Sequence, residues 1–179
     1  MNKNLRKLVY AALCLALCYV LPFATGNNRA LGNMLCLMHI PVFLCGFLCG
    51  WEWALAVGLI APLLRHFTIG APPVPTAYVM AFELAAYGLV VGLLFKVLPR
   101  KKWSIYVALI AAMLVGRLVS GLGNVIVYGL QGNAYGLTAF LTSHFVTPLP
   151  GIALQIVVIP LIVMALDRAK LIENKPKKN

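Results

Sequence analysis

The chain has 179 residues, 62% hydrophobic and 11% charged, with a mean hydropathy of +0.92. A water-soluble domain of this length does not carry so apolar a sequence, and the residue count suits one compact membrane domain over 1–179. The net charge of +11 would suit nucleic acid, but 12 of the 15 Lys and Arg fall into three short clusters between apolar runs, which fits anionic lipid headgroups instead and excludes a nucleic-acid partner.

A transmembrane helix needs about 20 mostly apolar residues, and the chain offers six such runs. The first, 7–24, follows the basic cluster Lys3, Arg6 and Lys7 and lacks a small-residue cleavage site, so it is expected to be retained as a helix. It carries Ala12 and Ala16 in an A-x-x-x-A spacing that lets another helix approach closely. The second and third runs, 33–50 and 52–68, are separated only by Trp51-Glu52-Trp53, which predicts a tight helical hairpin. Pro41 and Pro62 are expected to kink these two spans. The APPVP stretch at 71–75 cannot continue a helix and marks a loop. The fourth run, 75–97, contains Glu83, and the cluster Lys96, Arg100, Lys101 and Lys102 ends it. The fifth, 103–129, contains Arg117, and the sixth, 143–166, opens on His144 and holds Gln155 near its middle. Residues 167–179 form a basic tail with Arg168, Lys170, Lys175, Lys177 and Lys178. The expected fold class is all-α: a polytopic six-helix membrane bundle.

Six crossings place the three basic clusters on one side, which the positive-inside rule makes cytoplasmic, together with both termini. The loops near 25–32, 69–74 and 130–142 then face outward and carry one basic residue, Arg29. Trp51, Trp53 and Trp103 all fall at the cytoplasmic interface, where tryptophan anchors helices. The five cysteines lie inside apolar runs, Cys14/Cys18 and Cys45/Cys49 at i, i+4, and read as small packing residues. No metal or cofactor is expected.

Charges at bilayer depth cost about 2.5–3.5 kcal/mol each unless paired or hydrated. Glu83 and Arg117 are such charges, Glu83 about 12 Å below the outer end of its helix at 1.5 Å per residue. They can form a structural ion pair between two helices, or Arg117 can meet a ligand carboxylate in its planar fork while Glu83 orients it. Further polar residues at similar depth favour the ligand site. Asn124 and Tyr128 share a helix face with Arg117, Gly121 on that face leaves room, His39 lies in the outer half of the second span, and Arg65 and His66 lie near the outer end of the third. The inner halves are Leu, Val, Ile and Ala. The pattern describes a pocket open outward and sealed inward.

Six spans, A-x-x-x-A in the first helix, and the runs HIPV (39–42), APLLR (61–65) and FELAAYG (82–88) together resemble the substrate-binding S component of energy-coupling factor (ECF) vitamin transporters. The branch that includes pantothenate and riboflavin carriers is the most similar. The resemblance implies that Ala12 and Ala16 pack on a transmembrane scaffold (T) subunit driven by two cytoplasmic ATPases. It also implies that loops near 30–33, 70–75 and 131–135 cap the site. The chain has no G-x-x-x-x-G-K-[ST] of its own. The residues themselves give the substrate-binding set Glu83, Arg117, Asn124, Tyr128, Arg65, His39 and Gln155, and the resemblance implies that the ligand is a small water-soluble vitamin. A buried arginine favours one with a carboxylate, which makes pantothenate the first candidate, with riboflavin and pyridoxine-type vitamins behind it. Two other functions fit the sequence less well. An intramembrane enzyme would use Glu83 with His39, His66 and His144, yet no H-E-x-x-H, paired aspartates or G-x-S-x-G occurs. A six-span cell-shape scaffold would not need an arginine at mid-depth.

Overall fold

The computed structural model describes residues 2–26, 28–99 and 101–172. Arg100, the side chain of Arg29, and Lys175, Lys177 and Lys178 of the tail lie outside the described residues. Every regular element among them is helical: α1 (Lys3–Val20, prolonged by a 3-10 turn, Leu21–Thr25), α2 (Arg29–Leu35), α3 (His39–Cys49), α4 (Trp51–Ile69), α5 (Thr76–Val97), α6 (Lys102–Leu130), α7 (Leu137–Leu141, prolonged by a π-helical turn, Thr142–Val146) and α8 (Leu149–Arg168). Among the described residues six stretches are long and apolar enough to cross a bilayer, the second made of α2 and α3 together.

The bundle is organised around α5, which packs α4 on one side and α6 on the other. Small residues set the α4–α5 spacing. A Cβ on Gly88 would stand 2.5 Å from the carbonyl oxygen of Ala54, and one on Gly58 would stand 2.5 Å from that of Leu84. In a membrane, where burial of apolar surface drives little helix association, such close backbone approach is a main source of packing energy. On the opposite side of α5, Tyr87 fills the space that Gly116 leaves on α6. Phe43, Leu84, Leu109, Ile159 and Val163 complete a dense apolar core, and Phe47 meets Phe95 edge-on at 4.9 Å.

The second span departs from the sequence expectation. Pro41 was expected to kink a continuous helix; instead the helix stops at Cys36, whose φ of 48° is left-handed, and restarts at His39. Pro41 is then the third residue of α3, where a missing N–H has no helical acceptor to lose. The carbonyls freed by the break are satisfied from neighbouring spans: Gln155 Nε2 donates to Cys36 O at 3.2 Å and the Cys18 thiol to Met38 O at 3.5 Å. This is how non-helical backbone survives at membrane depth. Pro62, by contrast, lies inside α4, which runs on through it.

The sixth span also begins later than expected, at Leu149 rather than 143. Residues 137–146 form their own short apolar helix and turn, and Pro148 closes the turn before α8 starts. His144 therefore lies on a separate segment above the bundle interior and does not open a span. α1 is the least buried span: only Ala11, Cys14 and Cys18 are buried, while Ala12, Ala16, Val9, Leu13 and Leu17 face outward.

The α4–α5 seam gives a direct stability test. Gly88→Ala is expected to lower the thermal unfolding midpoint of the detergent-solubilised protein, because its Cβ meets backbone, and overpacking of this kind costs about 1–3 kcal/mol. Gly136→Ala, whose Cβ meets nothing within 4 Å, is expected to leave the midpoint unchanged.

Candidate functional site

The break in the second span, the outer half of α5, the middle of α6 and the α7 segment enclose a cavity of about 460 Å³. That lies within the range of small-molecule sites, about 300–1,000 Å³. Glu83, Arg117, Asn124, Tyr128 and His39 of the expected set all line it.

Glu83 and Arg117 face the same cavity but do not pair as expected. Glu83 accepts the Tyr87 hydroxyl at 2.6 Å, and His39 Nε2 stands 3.8 Å from the same carboxylate oxygen. The geometry follows from the elements. Tyr87 is one turn along α5 from Glu83, at i+4, and the restart of the second span at His39 puts its imidazole beside that turn. The Tyr87 ring is held between His39 and Phe43, at 5.3 and 4.9 Å between centroids. Arg117 is 5% exposed, and its guanidinium lies 5.4 Å from the centre of the Phe145 ring. Among the described residues it has no carboxylate within ion-pair distance.

The α7 segment supplies the other wall. His144 Nδ1 lies 2.9 Å from Ser143 Oγ and 3.1 Å from Phe140 O, and Nε2 lies 2.9 Å from Ser120 Oγ. Tyr135 bonds Ser143 at 2.8 Å and stacks near Tyr128, 5.1 Å between centroids. Gly121, expected to leave room for a ligand or helix, is covered by the Phe140 ring. Phe140 and Phe145 thus brace α7 against α6 from either side of His144.

The remaining expected residues stand elsewhere. Gln155 is buried outside this cavity and ties α8 to the broken span. Arg65 faces a smaller adjoining chamber. His66 holds the loop after α4 through Nδ1 and Pro72 O, 2.8 Å apart. Ser120, Cys36, Thr76, Tyr135 and Ser143 line the cavity without having been singled out from sequence. Ser120 alone had a signal, since it lies three residues from Arg117 on the same α6 face. Among the described residues no group of three metal-ligating side chains forms.

The cavity can therefore hold a small polar molecule between an arginine on α6 and a carboxylate on α5. The family model described as "ECF transporter, substrate-specific component" matches residues 6–163. No curated protein and no solved structure matches the chain. The match spans most of the sequence, and the chain belongs to the family of ECF transporter substrate-specific components, multi-pass membrane proteins that bind small substrates.

Proposed function

We propose that this substrate-specific component captures a small, water-soluble vitamin bearing a carboxylate, and that Arg117 anchors that carboxylate. The observation that carries the reading is the state of Arg117: buried to 95%, facing a cavity of about 460 Å³, and without a carboxylate partner among the described residues. A guanidinium at bilayer depth is costly unless compensated, and a planar carboxylate offers it two parallel hydrogen bonds. Glu83, fixed by Tyr87 and His39, accepts hydroxyl or amide protons from the ligand, and Asn124 and Tyr128 add hydrogen bonds from above. Pantothenate, with one carboxylate and a hydroxyl-rich far end, fits this division of charge better than riboflavin or pyridoxine, which carry no acid. The positive-inside rule applied to the basic clusters supports cytoplasmic termini and an outward cavity mouth.

The coupling half of the proposal rests on α1. Components of this family work with a T subunit and ATPases, and Ala12 and Ala16 lie on an apolar helix face that is exposed among the described residues. Small residues there let a partner helix approach closely.

Two measurements test these roles. By titration calorimetry, Arg117→Ala is expected to bind pantothenate about 30-fold or more weakly, since losing one partner of a buried charged pair costs about 2–5 kcal/mol. Arg117→Lys should rescue little, because lysine lacks the fork. Glu83 keeps Tyr87 and His39 in these variants, so the fold is expected to persist. A folded Arg117→Ala protein with unaltered affinity would make the arginine structural. In cells that also supply T and ATPase subunits, the double variant Ala12→Trp, Ala16→Trp is expected to lose uptake while the isolated protein binds normally. Unchanged uptake would take α1 out of the coupling role.

A further inference from the structure

A second arginine is buried without a counter-charge. Arg65, on the last turns of α4, is 4% exposed. Its guanidinium donates to Tyr19 O and lies 5.7 and 5.0 Å from the ring centres of Tyr19 and Phe23. These partners seat it at the C-terminal end of α1, where helix-end carbonyls favour a cation. Among the described residues, however, it has no carboxylate within ion-pair distance.

Arg65 faces a chamber of about 150 Å³ whose walls mix polar side chains, Thr25 and Asn28, with apolar ones, Pro22, Leu37 and Pro72. The chamber adjoins the main cavity across a shared wall. Gly32, Asn33, Cys36, Thr76 and Met80 line both. That wall leaves room at Gly32, where a Cβ would meet nothing nearer than Thr25 Oγ1, at 3.9 Å.

Charge decides what such a two-part site takes. Arg65, Arg117 and Glu83 together leave one net positive charge, which a single carboxylate neutralises; a dianion would overshoot. The second chamber therefore suits a neutral oxygen acceptor on a partly apolar body. We infer that the bound molecule is an elongated mono-acid spanning both chambers. Its carboxylate lies on Arg117, and carbonyl or hydroxyl oxygens at its far end reach Arg65 past Gly32. This rests on the carboxylate reading above and extends it to the length and far-end chemistry of the substrate.

The test compares pantothenate with N-acetyl-β-alanine, which keeps the carboxylate and the amide but lacks the diol-bearing far end. Wild-type protein is expected to bind pantothenate at least 100-fold more tightly. Arg65→Gln and Gly32→Leu, which fills the room beside Thr25 without touching either arginine, are each expected to weaken pantothenate at least tenfold and to change N-acetyl-β-alanine less than twofold. If both variants weaken the two acids equally, or neither acid, Arg65 only caps α1 and the second chamber is not a subsite. That result would leave the Arg117 reading intact. If wild-type protein binds neither acid, or binds riboflavin or pyridoxine in place of pantothenate, both readings fall.

Discussion

An ionised guanidinium inside a bilayer needs a counter-charge, water or an aromatic face, and the construction of this protein follows from how Arg117 is treated. The acidic residue that shares its cavity, Glu83, is already engaged by Tyr87 and His39. Arg117 is left against Phe145, aimed into a cavity. Had Glu83 and Arg117 paired, they would have locked α5 to α6 and closed the polar centre. Kept apart, they form a site with one wall that accepts protons and one that seeks an anion.

Holding those walls apart requires irregular backbone in a place where irregular backbone is expensive. The second span breaks at Cys36, and its loose carbonyls are taken by Gln155 from α8 and Cys18 from α1. The break turns α2 into a roof over two chambers and sets His39 beside Glu83. On the other side, α7 brings His144 onto Ser120 and Phe145 onto Arg117. Below this level the helices close tightly through Ala54, Gly58, Gly88 and Gly116, and the core is apolar. The bundle is polar and broken around the cavity, and apolar and close-packed along the α4–α5 and α5–α6 seams.

Much of the architecture was legible from hydropathy, because a membrane span needs a length and composition that few other segments have. The third, fourth and fifth spans start and end within a residue of expectation. Residues one turn apart on a helix were also readable, which is why Arg117, Asn124 and Tyr128 share a wall. The break at Cys36 was not, since no proline or glycine stands there and cysteine rarely takes the left-handed region. Nor was the late start of the sixth span: 137–146 is apolar and runs into α8 with only Thr147 and Pro148 between them. The partner of Glu83 depends on both features. Pairing by opposite charge alone overlooked Tyr87, one turn away on the same helix, and a histidine delivered by an unforeseen break. Gln155 was singled out for its polarity at depth, and that polarity serves backbone satisfaction rather than lining the main cavity.

The most direct measurement is an experimental structure of the protein with the small molecule it retains when purified from cells grown in rich medium. The account predicts an elongated molecule whose acidic oxygens lie within hydrogen-bond distance of the Arg117 guanidinium, with Glu83 still held by Tyr87. A retained molecule that carries no acid, or whose acid lies away from Arg117 while Glu83 swings over to pair with the arginine, would contradict it.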